Sequence, residues 1–368
     1  MSKLLSQGGF GCVYYPGLTC SGKSGKDKKI VTKLQRENFN AKNEIAIGDI
    51  IMTIPDYQDY FLPVIDSCLV NIRNINPKNI TDCQVIDKGK NLPLILMTIP
   101  YIKNYEFLKL FTLKAKLGNK QLIQTIFYTY TYILSSIQYL LDKKLVHLDI
   151  KSENILFNLK TKTPLLIDFG ISINMSNGLP RDKWDKYFYI YAPQYYVWPL
   201  EVHVINFLLH ESSKLTQSDA SDIAMLYTKT NKALNIFSND FREKYRKLCE
   251  ICLQSYIDKD REEVIKEILK SYNTWDNYSL SILYLKTFSY IFENGFSQNN
   301  ILIRFSQLLL LNISPDISIR LSINNTKKLF KRIFLHLRNS SHYQNIIDNF
   351  DTLYPSASSR KNLSYLDS

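Results

Sequence analysis

Residues Val146–Leu156 read V-H-L-D-I-K-S-E-N-I-L, and a little further on Leu165–Gly170 read L-L-I-D-F-G. In the first stretch an Asp is followed two residues on by a Lys and five residues on by an Asn, between apolar flanks. A loop carrying these side chains can take a proton from a hydroxyl through Asp149 and steady a transferring phosphoryl group through Lys151. It can also offer an amide oxygen to Mg²⁺ through Asn154. The second stretch is an apolar strand ending in Asp168, a carboxylate that suits a second metal contact.

Outward from these motifs, size and composition set the frame. At 368 residues the chain exceeds an average single domain, so two lobes or a domain with an insertion is expected. A hydrophobic share of 45% supports a sizeable core. The net charge of +12 is spread along the chain rather than gathered into runs. It reads as background charge with affinity for phosphate, not as a nucleic-acid or membrane surface. The opening M-S-K-L-L-S-Q-G-G has no long apolar leader, and the apolar runs near residues 92–102 and 308–313 are too short to span a bilayer. Six cysteines in such a context predict free thiols in a reducing, intracellular setting.

Short strands are predicted at Lys3–Ser6, Cys12–Tyr15 and Ile30–Leu34, then a helix over Asn40–Ile54 that Pro55 stops. Strand-like material follows at Phe61–Val70 and Asn91–Ile99. Beyond Pro100 the pattern turns helical: Gln121–Leu141 carries Leu122, Ile126, Ile133, Ile137, Leu140 and Leu141 along one face. Residues 200–272 contain neither Pro nor Gly and read as a helical insertion. Further helices are expected at Trp275–Phe292, Ser297–Leu311 and Ser322–Arg338, with a loosely ordered tail at 339–368.

Two glycine-rich stretches compete for a phosphate. Ser6–Val13 reads S-Q-G-G-F-G-C-V, close to G-x-G-x-x-G-x-V with Ser in first place. Between two strands it suits a hairpin whose backbone N–H groups lie over phosphates; alone it could equally be an ordinary turn. Residues Gly17–Ser24 match G-x-x-x-x-G-K-S in full, but that motif needs a helix opening at the Lys. Gly25 and a Lys-rich run lead into a strand instead, so this stretch is expected to be a mobile connecting loop.

The order of these elements resembles that of eukaryotic-type protein kinases: glycine-rich loop, strand Lys33, helix Glu44, H-x-D-x-K-x-x-N at 147–154, and Asp-Phe-Gly at 168–170. The fold this implies is α+β and bilobal. A β-rich N-lobe would occupy 1–99 and a larger helical C-lobe 100–338. The roles implied are Lys33 paired with Glu44 to position phosphates, Asp149 as base, Lys151 at the transferring group, and Asn154 and Asp168 on Mg²⁺. Leu5, Ser6, Gln7, Gly8, Gly9, Phe10, Gly11 and Val13 would cover ATP. Met97, Thr98 and Ile99 would flank adenine, with Met97 as gatekeeper. His147 would be structural, packed near Asp168.

Three positions depart from that family's pattern: Ser6, Leu148 where most relatives carry Arg, and Ala192-Pro193-Gln194 in place of Ala-Pro-Glu. A Gln194–Arg320 hydrogen bond is expected to stand in for the usual ion pair. The Thr usually found before Ala-Pro-Glu is not evident, and Tyr187 lies near its place. Trp275–Leu280 resembles the start of the buried central helix, where Asp276 would accept bonds from the catalytic-loop backbone. Lys151 implies Ser/Thr protein substrates. The stretch Tyr14–Cys20 and the late D-N-Y-S-L are similar to kinases of large nucleocytoplasmic DNA viruses, which would place the protein in host cytoplasm or the virion. The rival readings are a pseudokinase scaffold and a small-molecule kinase of the aminoglycoside type. The latter shares H-x-D-x-x-x-x-N but not Lys151 or the Phe-Gly after Asp168. A nucleic-acid-binding protein is suggested by charge alone. Cys249-x-x-Cys252 has no second pair and is not expected to bind metal.

Overall fold

The computed structural model describes residues 2–80, 82–84, 86, 93–292 and 300–335. The expected tail at 339–368 lies outside these residues. In chain order the strands are β1 (Lys3–Gln7), β2 (Gly11–Tyr15), β3 (Ile30–Arg36), β4 (Asp66–Asn71), β5 (Pro93–Pro100), β6 (Asn104–Glu106), β7 (Leu145–Val146), β8 (Ile155–Asn158), β9 (Thr163–Leu166) and β10 (Ile173–Asn174). The helices are α1 (Phe39–Met52), α2 (Pro77–Ile80), α3 (Phe107–Leu117), α4 (Asn119–Asp142), α5 (Trp184–Tyr187), α6 (Leu200–His210), α7 (Gln217–Thr230), α8 (Asn239–Leu253), α9 (Arg261–Leu269), α10 (Trp275–Ile291), α11 (Asn300–Asn312) and α12 (Ile323–Leu335).

The chain divides into two compact units, Met1–Tyr105 with Leu156–Ser172, and Glu106–Ile155 with Ile173–Ser368. The first contains a five-stranded antiparallel sheet in the order β1-β2-β3-β5-β4. Alternation along the strands sends successive residues to opposite faces. Cys12, Tyr14, Leu34, Leu94 and Leu96 face one way and pack on Ile72, Ile75, Ile80 and Ile86. Ile95 and Met97 face the other way, onto Ala41 of α1 and Val64. Helix α1 is opened by Asn38, whose side chain accepts from the Ala41 N–H. Segment 156–172 belongs to this unit rather than to the helical one: the Leu62 N–H donates to the Leu166 carbonyl and the Leu166 N–H to that of Tyr60.

Two sequence expectations fail in this unit. Cys12 is bonded to Cys83 and Cys20 to Cys68, so four of the six thiols are not free. Cys83 packs with Ile72, Ile75, Ile80 and Ile86 on the sheet face that carries Cys12, and Cys68 lies on β4, so cysteines 71 and 48 residues apart come together. Nor is the 17–24 stretch a loose connector. It closes on itself through Thr19 N–H to Lys23 O and Gly25 N–H to Gly17 O, and Cys20 staples it to β4. No helix opens at Lys23. Gly22 adopts φ of 76° where an added Cβ would strike the Asn74 carbonyl, so this glycine is required by packing.

The second unit is helical. The 24-residue α4 and helix α10 share an aromatic core in which Phe127, Tyr130, Tyr284, Phe305 and Phe330 meet edge to face. Tyr284 anchors α10 to α4 by donating to Thr129 Oγ1 at 2.7 Å. Residues 200–269 form α6 to α9, helical as their composition suggests. Among the described residues no helix is long and apolar enough to cross a membrane.

Candidate active site in two residue sets

In the first unit, β3 places Lys33 on the same sheet face as Met97, its cross-strand partner, and Val13 lies opposite Lys33 on β2. Lys33 Nζ lies 2.7 Å from Glu44 Oε2 and 2.8 Å from Asp168 Oδ1. The Lys33 and Glu44 side chains are 10% and 3% exposed, while that of Asp168 is 37% exposed. Burial alone would push the ammonium's pKa down, but the two carboxylates outweigh it and hold Lys33 above its ordinary range. Burial raises the Glu44 carboxyl against the pull of Lys33.

The position of Asp168 is itself over-determined. It takes φ of 66°, a left-handed backbone that non-glycine residues rarely adopt. Phe169 behind it is buried edge-on to Phe61, and Asn43, the neighbour of Glu44 on α1, donates to the carbonyls of Gly170 and Ser172 at 3.1 and 2.8 Å. Asn43 has no sequence signal beyond its place beside Glu44.

The glycine-rich loop is the β1–β2 hairpin, closed by Gly8 N–H to Gly11 O. Gly11 is required by packing, since a Cβ would sit 2.6 Å from the Leu34 carbonyl. At Gly8 and Gly9 a Cβ would meet nothing. Leu5 and Phe10 are exposed large apolar residues, and Leu5 sits where the β1 register slips between Leu4 and Ser6. Gln7 accepts from the Gln84 N–H. Met97 is fully buried, and Thr98 and Ile99 are half-buried.

In the second unit the catalytic-type loop hangs on α10. Asp276 accepts from the His147 and Leu148 N–H groups at 2.7 and 2.9 Å, as the resemblance implies, and the Trp198 indole donates to the Leu148 carbonyl at 2.9 Å. With both its peptide neighbours tied, Leu148 is held at φ of 64°. His147 is buried, and its Nδ1 accepts from the Asp149 N–H. Asp149 Oδ2 receives Lys151 Nζ and the Asn154 amide, each at 2.8 Å, and the same amide reaches the Asp149 carbonyl at 2.9 Å. Asp149 Oδ1 accepts from the Tyr195 hydroxyl.

One sequence expectation here is overturned. Gln194 is exposed, and Arg320 instead forms a buried two-pronged pair with Glu201, at 2.6 and 2.8 Å. The Trp275 indole adds a third bond to that carboxylate. The closing element is therefore Pro199-Leu200-Glu201 at the start of α6, not Ala192-Pro193-Gln194. Ala-Pro misled because it copies two of three residues, whereas the ion pair needs the carboxylate. Tyr187 is buried in α5, and the side chain that reaches Asp149 is Tyr195. Cys249 and Cys252 are free thiols, and no group of three or more metal-ligating His, Cys, Asp or Glu side chains occurs among the described residues.

Residues 70–271, more than half of the chain, match the family model for the protein kinase domain. The chain belongs to the protein kinase family. This match contains Asp149, Lys151, Asn154, Asp168 and Glu201, while Lys33, Glu44, Asp276 and Arg320 lie outside it and are placed by their geometry alone. No curated protein matches the sequence.

Proposed function

We propose that this kinase transfers the γ-phosphoryl group of Mg·ATP to Ser or Thr hydroxyls of proteins. The observation that carries the reading is the Asp149 carboxylate, fixed on a loop whose backbone is bonded to buried Asp276 and flanked by a cation two residues on. Asp149 takes the acceptor's proton as the new P–O bond forms, and Lys151 neutralises charge on the transferring group. Lys33, charged and steadied by Glu44, binds phosphate oxygens. Gly8 and Gly9 carry no side chain and have nothing within 4 Å of where one would sit, so a phosphate can approach the hairpin backbone there. Leu5, Val13, Met97, Thr98 and Ile99 remain the assigned adenine contacts.

Each of the two assigned Mg²⁺ donors, taken by itself, has the chemistry that this cation prefers. Asp168 keeps more than a third of its side chain exposed, and Asn154 uses its amide nitrogen on Asp149, which leaves an amide oxygen for a cation. Once bound, the metal neutralises developing charge on the phosphates.

Two of the three departures that favoured a scaffold now stand alone, Ser6 and Leu148, because Glu201 restores the ion pair that Gln194 could not supply. Ser/Thr acceptors are supported by Lys151. A setting shared with large DNA viruses is supported by the Tyr14–Cys20 stretch. Of the two locations that implies, the disulfides favour the virion, since such bonds persist there and not in reducing cytoplasm. Incubating the purified protein with γ-labelled ATP, Mg²⁺ and a mixed Ser/Thr/Tyr peptide library tests the reading. Label on Ser and Thr is expected, label on Tyr alone would overturn the acceptor class, and label on small metabolites alone would overturn the protein substrate.

A further inference from the structure

Between α5 and α6 the chain runs through Tyr191–Trp198, and its course there is fixed at several points. The Tyr195 N–H donates to Ala192 O and the Trp198 N–H to Tyr195 O. Tyr278 and Ser279 of α10 donate to the carbonyls of Tyr196 and Val197 at 3.3 and 2.8 Å. Trp198 reaches back to Leu148, one residue before Asp149. The Tyr195 ring packs edge-on against Trp198, with centroids 5.0 Å apart, and Lys151 Nζ lies 5.7 Å from its centroid.

The hydroxyl on this braced ring touches Asp149 and Lys151 of the catalytic-type loop. It donates to Asp149 Oδ1 and accepts from Lys151 Nζ at 3.2 Å. Burial and the Asp149 carboxylate push the phenol far above its ordinary pKa, so it stays a donor. Among the described residues, Asp149 Oδ2 is held from within its own loop, by Lys151 and Asn154, and Lys151 is a flexible side chain 31% exposed. Tyr195 supplies the contact from outside that loop.

We propose that Tyr195 is a positioning residue for phosphoryl transfer, its hydroxyl locking the Asp149 carboxylate and the Lys151 ammonium in one arrangement. The proposal rests on the reading of Asp149 as the base. A displacement of the acting groups by about 1 Å can cost a hundredfold in rate, so one hydroxyl on an otherwise unchanged ring is enough to matter. Leu148, just before Asp149, is apolar and buried, so no cation stands at that position to pair with a phosphate on the chain.

The test uses the full chain with Mg·ATP and the mixed peptide library, comparing wild type, Tyr195→Phe, Lys151→Ala and the double variant. Tyr195→Phe is expected to lower kcat about 10- to 100-fold, with KM for ATP within about twofold of wild type and the melting temperature unchanged. In the Lys151→Ala background the same change is expected to cost much less, because both residues act through one arrangement. Wild-type kcat in Tyr195→Phe would overturn the proposal, as would a rise, which would mean the hydroxyl obstructs the acceptor. A loss of rate matched by a fall in melting temperature would mark a structural role and overturn it as well. A wild type without any turnover would sink this proposal and the functional reading together, whereas an active wild type with an unaffected Tyr195→Phe would sink this one alone.

Discussion

The two residue sets hold their charges by different means. Around Lys33, three ionic groups sit against one another with two of them nearly dry, and the pair is kept in place by burial and mutual attraction. Around Asp149, backbone ties to Asp276 and Trp198 fix the loop; Lys151 is partly exposed, while Asp149 is nearly as buried as Lys33. The difference suits the chemistry proposed for each set. A phosphate-binding amine can be held by counter-charges, whereas a base is best aimed through its backbone, which leaves its carboxylate ionised to take a proton. It also predicts that the first set trades function against stability, while the second can be altered chemically with the fold intact.

That contrast can be broken at several places. The largest effect on stability is expected at the corner that supports the second set. Arg320→Ala leaves the Glu201 carboxylate buried without its partner, which should cost about 3–5 kcal/mol in denaturant unfolding. Gln194→Ala should cost almost nothing, and equal losses for the two would restore Gln194 as the partner. Next, reducing the disulfides should loosen the first unit. By the chain-entropy account each is worth about 2–4 kcal/mol, so Cys83→Ser should lower the guanidinium midpoint in the absence of reductant. An unchanged midpoint would mean that the pairing adds nothing to the sheet.

The smallest effect concerns pH. His203 of α6 is fully buried between Trp198 and Tyr227, and burial drives its pKa down to about 3. Its folded-state pKa is below the unfolded one, so its contribution is complete above about pH 6.5 and is lost as pH falls towards 3. Between pH 6.5 and 5 this amounts to roughly 2 kcal/mol. His203→Gln should flatten the dependence of melting temperature on pH in that window, and an unaltered slope would assign it elsewhere.

The parts of this molecule legible in its sequence are those written locally. Strand alternation around Lys33, the helical face of Gln121–Leu141 and the spacing from Asp149 to Asn154 all depend on neighbours in the chain, and the elements appear within a few residues of where those patterns put them. What was not legible depends on residues far apart. Glu201 meets Arg320 across 119 positions, and Cys12 meets Cys83 across 71. Tyr195 reaches Asp149 from 46 residues away. A better local signal did exist for the first of these: Pro199-Leu-Glu201 places a carboxylate just after a proline, at the start of an apolar helical run. Nothing local marks Tyr195 or Asn43.

The measurement that bears most directly on phosphoryl transfer by Asp149 is the turnover number of Asp149→Asn beside wild type, with the dissociation constant for Mg·ATP taken in parallel. Turnover should fall by about 10²- to 10⁴-fold while nucleotide affinity and melting temperature stay within error. Equal turnover by the two proteins would contradict it.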